Sequence, residues 1–342
     1  MRWAFLGIGR VTHRMVQAVR AAGHEVRVGA GRDPDKLAQW LSQFSVPNGT
    51  TNFQEAIERS DIDAVYIAVP PALHLDLTQS ALNLGKRVLC EKALTQFPSE
   101  ASELLETAKH TGTVVVDATA FPHHPRSLRM REIIDSGELG ELCRITVACS
   151  VGNILDRRDH RSDAHVGGGC LLDLGWYCVY STAWLTGFEA DTMHSEGTRI
   201  SHAPESAWYQ VQTMARLKQT NLAALQSRNC TPHRSLLASW DCGYEANGRK
   251  WIEISGTKAS LICDDFLRPW DIDKPRFWVH GHDGKARAEL VGEGVFQEVN
   301  LVQHVAHVDL QQSLKDLEIA VMVQKTLGRI EADLQATQHP FV

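Results

Sequence analysis

One carboxylate and one phenol stand four residues apart in an otherwise apolar run, Asp173 and Tyr177 in Gly167-Gly-Gly-Cys-Leu-Leu-Asp-Leu-Gly-Trp-Tyr-Cys-Val-Tyr180. Three glycines lead into the run and its composition predicts a buried helix. On an α-helix, residues four apart share a face, so an acid and a phenol would point the same way. A buried acid is rare without a partner. The pair is therefore a candidate for proton chemistry rather than packing. A third group, Lys92 in Cys90-Glu91-Lys92-Ala93, follows a short apolar strand. At such a strand end an ammonium can reach a cofactor ribose or a substrate oxygen.

A second constellation lies at the N-terminus. Gly7-Ile8-Gly9-Arg10-Val11-Thr12 follows a first strand and opens a first helix. In that context the two glycines let the backbone approach a pyrophosphate, whose charge the helix N-terminus stabilises. Thr12 replaces the third glycine of the dinucleotide fingerprint. The second strand ends Val28-Gly29-Ala30-Gly31-Arg32-Asp33. An NAD site usually places an acid at that tip, whereas Arg32 suits a 2′-phosphate. NADP is thus favoured over NAD. Val69-Pro70-Pro71-Ala72-Leu73-His74 and Glu91-Lys92 close the next strands. They occupy the carboxyl edge where α/β sheets bind nucleotides. Val69, Pro70, Leu73, His74, Glu91 and Lys92 join Gly7, Ile8, Gly9, Arg10, Val11 and Arg32 as candidate cofactor residues.

The elements that must carry these groups fall into two halves. Short apolar strands alternate with helical patterns up to Asp117: strands at Arg2–Leu6, Glu25–Ala30, Ala64–Val69, Arg87–Cys90 and Thr113–Asp117, helices at Val11–Ala22, Pro34–Phe44, Phe53–Arg59, Leu73–Leu84 and Ser99–His110. Asn52 is placed to cap the third helix. Strands of this kind, buried on both faces, mean a doubly wound parallel sheet. From about residue 119 the pattern changes. After a helix and a strand at Leu142–Cys149 come the glycine-rich helix and the runs WYQVQTMARL, LLASWDCGY, KWIEISG, SLICDD and RFWVHG. Turn signals at Asn247-Gly248 and Asp283-Gly284 suit a largely antiparallel sheet. A long helix, Asp309–Ile330, ends the pattern. The expected organisation is an α/β Rossmann domain over 1–118 and an α+β domain with an open sheet over 119–342, for substrate binding and oligomerisation.

Composition narrows the partners. A 342-residue chain with 43% hydrophobic and 22% charged residues can bury two ordinary cores. A net charge of −6 argues against a general nucleic-acid or membrane-surface binder. No apolar run reaches a membrane span, and MRWAFLGIGR does not read as a signal peptide. The eight cysteines include no C-x-x-C pair, which suits buried free thiols in a reducing cytoplasm. The sixteen histidines show no zinc-like spacing with cysteine or acid, so no metal is expected.

GIGRVT, AVYIAVPPALH, GKRVLCEKAL, AFPHHP, GELGEL, GGGCLLDLGWY and EISGTKASL occur in that order. As a set covering most of the chain, they resemble the glucose–fructose oxidoreductase / inositol dehydrogenase / MocA family. The branch they are most similar to holds dimeric dihydrodiol dehydrogenase and sugar dehydrogenases, with tyrosine where many relatives carry histidine. The resemblance implies an NAD(P)-dependent oxidoreductase that transfers hydride to or from a secondary alcohol or lactol of a sugar or polyol. It implies Tyr177 as general acid/base, Lys92 as its electrostatic helper and Asp173 as a substrate-positioning acid. Arg161 matches a substrate-facing arginine of the sugar dehydrogenases, and Phe121 and His124 would line the same pocket. The chemistry agrees: a carbinol oxygen must gain or lose a proton, and an ammonium beside a phenol lowers its ordinary pKa of about 10.

Relatives also pair through the open sheet, which implies a homodimer or a dimer of dimers. A trans-dihydrodiol dehydrogenase would use the same residues. Redox-assisted glycoside cleavage with retained NAD is a rarer chemistry of the family. A non-catalytic NAD(P)-sensing regulator shares the fold, but the trio Lys92, Asp173 and Tyr177 favours an enzyme. Three features depart from the family. Ala93 stands where relatives have proline, AFPHHP is short and lacks an arginine, and the stretch from Val295 to Ser313 is short. A cis bond before alanine costs about 3 kcal/mol, so a trans Lys92–Ala93 bond and a slightly displaced lysine are expected.

Overall fold

The computed structural model of the chain describes residues 1–152, 159–201, 206–222, 225 and 232–337. In chain order the elements are β1 (Arg2–Leu6), α1 (Arg10–Ala21), β2 (Glu25–Ala30), α2 (Pro34–Phe44), β3 (Asn48–Thr50), α3 (Phe53–Glu58), β4 (Ala64–Ile67), α4 (His74–Asn83), β5 (Arg87–Cys90), α5 (Pro98–Thr111), β6 (Val115–Asp117), α6 (Pro125–Asp135) and β7 (Leu142–Ser150). They continue with α7 (Trp176–Thr186), β8 (Phe188–Arg199), β9 (Trp208–Gln219), β10 (Pro232–Gly243), β11 (Arg249–Gly256), β12 (Ala259–Cys263), β13 (Arg276–Gly281), β14 (Ala286–Leu290), α8 (Gln297–His307) and α9 (Leu310–Thr337). Two compact units form. One is Met1–Ala120 with Phe296–Val321, the other Phe121–Val295 with Met322–Val342.

The first unit is built on a six-stranded sheet in the order β3-β2-β1-β4-β5-β6. All its pairings are parallel. The order reverses between β1 and β4, which makes the crevice beyond their carboxyl ends the place where such sheets bind ligands. Trp3, Phe5, Tyr66 and Leu89 are fully buried in it, each worth roughly 1.5–3 kcal/mol relative to exposure. The sequence showed no helix at α8, yet Leu301, Val302, Val305 and Val308 complete this core. Arg87 ties α8 down by donating from Nε to Val305 O at 2.7 Å and from Nη2 to Val308 O at 2.5 Å. Asp33 caps α2 through Asp35 N and Lys36 N, and Asn52 caps α3 through Gln54 N.

The second unit is built on an eight-stranded sheet in the order β14-β13-β12-β11-β7-β10-β9-β8. Among the described residues only β7 and β10 pair in parallel within it. Alternation sorts its two faces. Ile145 and Val147 on β7, Val211 and Ala215 on β9, and Ile252 and Ile254 on β11 are buried. Met214 and Leu237, 68% and 45% exposed, lie on the other face. Strand β8, another element absent from the sequence reading, pairs with β9 at the edge. Helix α7 packs on the buried face, where Trp240 Nε1 donates to Thr182 Oγ1 at 2.9 Å. Its serine and threonine hydroxyls are satisfied internally: Thr182 and Ser181 both donate to Cys178 O, and Thr186 donates to Thr182 O. A buried ion pair holds α6, with Arg126 Nη1 at 2.5 Å from Asp265 Oδ1.

Candidate active site

On the first unit the candidate cofactor residues ring the carboxyl edge. Gly7 has φ +99°, and a Cβ there would stand 2.2 Å from Ala68 O, so only glycine lets β1 and β4 meet this closely. Gly9 is the N-cap of α1, has no side-chain cap and would meet nothing within 4 Å if given a Cβ. The open space and uncapped amides at the start of Arg10 and Val11 fit an approaching pyrophosphate. Thr12, in place of the third fingerprint glycine, is fully buried. Its Oγ1 donates to Gly9 O at 2.6 Å and accepts from Trp40 Nε1 at 2.9 Å. It joins α1 to α2 through hydrogen bonds, where a glycine would serve by close approach. Ile8 lies against Gly31, whose Cβ would come within 2.7 Å of the Ile8 side chain.

At the β2 tip, Arg32 is exposed and forms no ion pair among the described residues. The neighbouring Asp33 carboxylate is engaged in capping α2, and those amides hold its pKa below the usual value. Val69 and Pro70 follow β4, and Leu73 ends the short 3-10 turn Pro71–Leu73. His74 is fully buried. Its Nδ1 lies 3.0 Å from Ala93 O and 3.3 Å from Leu94 O, and its Nε2 lies 2.8 Å from Val69 O. The ring therefore clamps the chain after β4 to the chain after β5. This second role has no local sequence signal.

The Lys92–Ala93 peptide bond is cis, a correction to the trans bond expected before alanine. Surroundings outweigh the intrinsic preference here, because Ala93 and Leu94 are buried and their carbonyls face His74. Behind Lys92, the Glu91 carboxylate accepts from Tyr66 OH at 2.5 Å. Burial pushes the Glu91 carboxyl up against the opposing effects of Tyr66 and Lys92. Burial, followed by the Glu91 charge, pushes the Tyr66 phenol well up. Burial also lifts Asp117, at the end of β6, to about 6. Neither Tyr66 nor Asp117 stood out in the sequence.

On the second unit the glycine run enters a π-helical turn, Leu171–Gly175, before α7 begins at Trp176. Asp173 and Tyr177 thus do not share one uninterrupted α-helix, which corrects the simple four-residue reading. The wider turn places them slightly less than one turn apart instead of slightly more. Glycine permits it: a Cβ on Gly175 would sit 3.1 Å from Leu171 and 3.3 Å from Cys242 Sγ. Such single π turns recur at functional sites. Tyr177 is the one residue of α7 that is not buried, and Asp173 is likewise half-buried.

Asp173 is held from two sides. Arg161 Nε lies 3.4 Å from its Oδ2, and Tyr244 OH donates to the same oxygen at 3.0 Å. Arg161 belongs to a loop folded back on itself. Its N–H donates to Asp159 Oδ1, its carbonyl accepts from Gly169 N, and Nη1 lies 3.8 Å from Asp159 Oδ2. Sequence reading missed Tyr244, which is 71 residues from Asp173 and reads only as the end of an apolar strand.

The other two candidate substrate residues are buried among other side chains. Phe121 is 2% exposed. Its ring meets Tyr180, Trp184 and Phe266 edge-on at 5.8, 5.7 and 5.6 Å. His124 is buried and caps α6, its Nδ1 accepting from Arg126 N at 3.1 Å. Burial, with the Arg126 charge, lowers its pKa to about 4. No group of three or more histidine, cysteine or acidic side chains among the described residues is arranged to hold a metal. No helix among them is long and apolar enough to cross a membrane.

A glycine-lined nucleotide edge on a parallel sheet, followed by an open-sheet unit carrying a tyrosine and a paired acid, defines a nicotinamide-dependent oxidoreductase. Residues 1–118 match the family model described as the oxidoreductase family, NAD-binding Rossmann fold, and residues 127–262 match the GFO/IDH/MocA C-terminal domain. The chain belongs to this GFO/IDH/MocA family. It is 36% identical over 289 residues to a dTDP-3,4-didehydro-2,6-dideoxy-alpha-D-glucose 3-reductase of Saccharopolyspora spinosa, covering 84% of this chain and 78% of that one. It is 24% identical to a mouse (Mus musculus) trans-1,2-dihydrobenzene-1,2-diol dehydrogenase, over 80% of this chain and 77% of that one. Among solved structures, a 3-ketoreductase from Actinomadura kijaniata with TDP-benzene and NADP superposes with a TM-score of 0.77 at 20% identity, covering 97% of both chains. A levoglucosan dehydrogenase with NADH and levoglucosan gives 0.78 at 17%, covering 98% and 97%.

Proposed function

We propose that the protein moves hydride between a nicotinamide cofactor, with NADP preferred, and the secondary alcohol or lactol carbon of a sugar or polyol. Tyr177 is the general acid/base, Lys92 its electrostatic helper, and Asp173 and Arg161 position the substrate. The observation that carries this reading is the selective half-exposure of Tyr177 and Asp173 in a segment whose other polar side chains are buried, with Ser181, Thr182 and Thr186 bonded within the helix. Bound nicotinamide would supply or accept the hydride. The chain's own residues do the rest. The α1 amides and Gly9 receive the pyrophosphate, and Arg32 takes the 2′-phosphate. Glu91 and His74 fix the backbone that bears Lys92. In the reducing direction the Tyr177 hydroxyl gives its proton to the carbonyl oxygen; in the oxidising direction its phenolate takes the proton back.

The test is turnover of NADP or NAD with D-xylose, D-glucose and myo-inositol, followed by reduced-nicotinamide absorbance. Tyr177→Phe should lower kcat by roughly 100-fold or more with cofactor affinity kept. Lys92→Ala should act on the same step, so the double variant should be little worse than the worse single. Full activity in Tyr177→Phe would refute the assignment. A second reading, reduction of a nucleotide-linked ketosugar, is favoured by the 36% identity to the dTDP-ketosugar reductase. A trans-dihydrodiol substrate would use the same residues. Both are tested by adding those substrates to the same assay.

The same reading takes the outward face of the eight-stranded sheet as a homodimer surface, alone or within a dimer of dimers. Met214 and Leu237 are exposed there. Trp251 and Trp278 stand on the same face with Arg249 and Arg276 over their rings at 5.2 and 5.1 Å, a composition typical of interfaces. The unpaired cysteines among the described residues suit a cytoplasmic enzyme.

A further inference from the structure

Tyr244 stands at the end of β10, where no chemistry was expected from the sequence. It is fully buried, and its main chain is gripped by its neighbour: Tyr244 N donates to Tyr209 O at 3.0 Å, and Tyr209 OH donates to Tyr244 O at 3.4 Å. The two rings meet edge-on at 6.1 Å. The phenol is left one direction, and it uses it to donate to Asp173 Oδ2. Arg161 approaches that same oxygen from the opposite side of the chain order, off the 159–169 loop. The loop is itself braced against the π turn. A Cβ on Gly168 would lie 2.5 Å from both His160 O and Asp163 O, and Gly169 N donates to Arg161 O. Two donors from two rigid elements therefore converge on one carboxylate oxygen of a half-buried acid.

We propose that Tyr244 is a positioning residue which, together with Arg161, keeps Asp173 ionised and fixes its rotamer, so that the carboxylate acts as a hydroxyl-accepting arm of the substrate site. This rests on the assignment of Asp173 to substrate binding made above. It gives Arg161 a role directed at Asp173 in addition to any contact with substrate. It also names the feature the site selects: a substrate hydroxyl able to donate to a carboxylate, beside the carbon that reacts. A phenol donating to a carboxylate favours the charged acid, and so does a guanidinium beside it. The other titratable groups on the elements packed against the acid are Asp159 and His160 on the loop, Cys170 and Tyr177 on its own segment, and Cys242 on β10, while Asp241 lies on the outward face of that strand with Gln212. Asp159 shares the Arg161 guanidinium with Asp173, so Tyr244 is the donor that Asp173 does not share with the loop acid.

The experiment uses the full chain with [γ-13C]aspartate, the Asp173 carboxyl being assigned by its loss in Asp173→Asn. Tyr244→Phe keeps the ring and removes the donor. It should move the Asp173 titration midpoint up by about one pH unit. In steady-state assays with NADP and D-xylose or D-glucose, it should raise KM about tenfold with kcat changed much less, the mark of lost uniform binding. It should add nothing to KM in the Asp173→Asn background. Arg161→Gln should move the midpoint in the same direction, and serves in its place if Tyr244→Phe does not fold. An unchanged midpoint in both variants overturns the proposal. So does a KM effect of Tyr244→Phe that persists undiminished without the Asp173 carboxylate. If neither sugar is turned over by the wild-type protein, the sugar reading fails on its own, and the carboxyl titration still decides the role of Tyr244.

Discussion

The two fingerprint glycines should separate folding from cofactor binding, because the structure gives them opposite surroundings. Gly7 has a positive φ, and an added Cβ would press to 2.2 Å from Ala68 O and 2.7 Å from Ala68 C. Holding a non-glycine residue in such a conformation costs about 1–3 kcal/mol. The carbonyl is main chain of the next strand, so relief requires β1 and β4 to part. Gly7→Ala should therefore lose at least about 3 kcal/mol, a large share of the 5–15 kcal/mol that ordinary domains possess. For a unit of this size that is a fall in melting temperature of roughly 6–12 °C. Gly9 has φ −72° at the N-cap and nothing within 4 Å of an added Cβ. Alanine there gains about 0.4–1 kcal/mol by restricting the unfolded chain and loses a similar amount as a poorer N-cap. Gly9→Ala should melt within about 2 °C of wild type.

The added methyl would nevertheless stand where the pyrophosphate must approach the α1 amides. Gly9→Ala should weaken NADP binding at least about tenfold, as one charge-assisted contact at a helix start is worth 1.4 kcal/mol or more. Differential scanning fluorimetry and NADP titration against tryptophan fluorescence read the two effects separately. Wild-type NADP affinity in a normally folded Gly9→Ala protein would refute the placement of the pyrophosphate. A normally stable Gly7→Ala protein would refute the close-approach argument.

Arg32→Ala should weaken NADP binding about tenfold while leaving NAD binding unchanged, measured by the same fluorescence titration; equal losses for both cofactors would count against a 2′-phosphate contact. Asp117, lifted to about 6 by burial, binds its proton more tightly in the folded chain than in the unfolded one. Its effect on stability is absent at low pH, grows unfavourable as pH rises from about 4 to 6, and then levels near 3 kcal/mol. Asp117→Asn should thus raise stability above pH 6 and flatten urea midpoints across that window; an unchanged pH profile would show that the carboxyl is not protonated in the native state. Sedimentation should show a dimer that Met214→Asp and Leu237→Asp together convert to monomer, and a concentration-independent wild-type monomer would exclude the sheet-face interface.

Elements with strong local signals were legible. The apolar runs of β1, β4 and β5 and the Asn52 cap follow from short-range chemistry, and the structure has them where the sequence put them. Strand β8 was not legible, because its charged and small residues acquire strand character only by pairing with β9. Nor was the π turn, since an apolar pattern this short does not distinguish hydrogen bonds spanning four residues from bonds spanning five. At the candidate site the residue types stood out, while their supports did not. Tyr244 reaches Asp173 across 71 residues and Tyr66 reaches Glu91 across 25. His74 was read as a cofactor contact, and its hydrogen bonds go to the backbone of two loops. Partnerships of this range are set by topology, which a single sequence expresses only through its fold. Ala93 shows the converse. Its intrinsic preference was clear, and the surrounding backbone overrode it.

The return of α8 to the first unit bears on how the chain is made. Residues 1–120 emerge from the ribosome before the segment that completes their core and contain every strand of the parallel sheet. Yet one face of that sheet is closed by Leu301, Val302, Val305 and Val308, and Arg87 finds its carbonyl partners only at Val305 and Val308. The whole of Phe121–Val295 must be synthesised in between. At about 5–20 residues per second, that delay is roughly 9–35 s. Throughout it the nascent nucleotide-binding half carries an uncovered apolar face. A truncated gene ending near residue 120 would yield that half permanently uncapped, so the N-terminal unit is a spatial domain without being an autonomous product of translation.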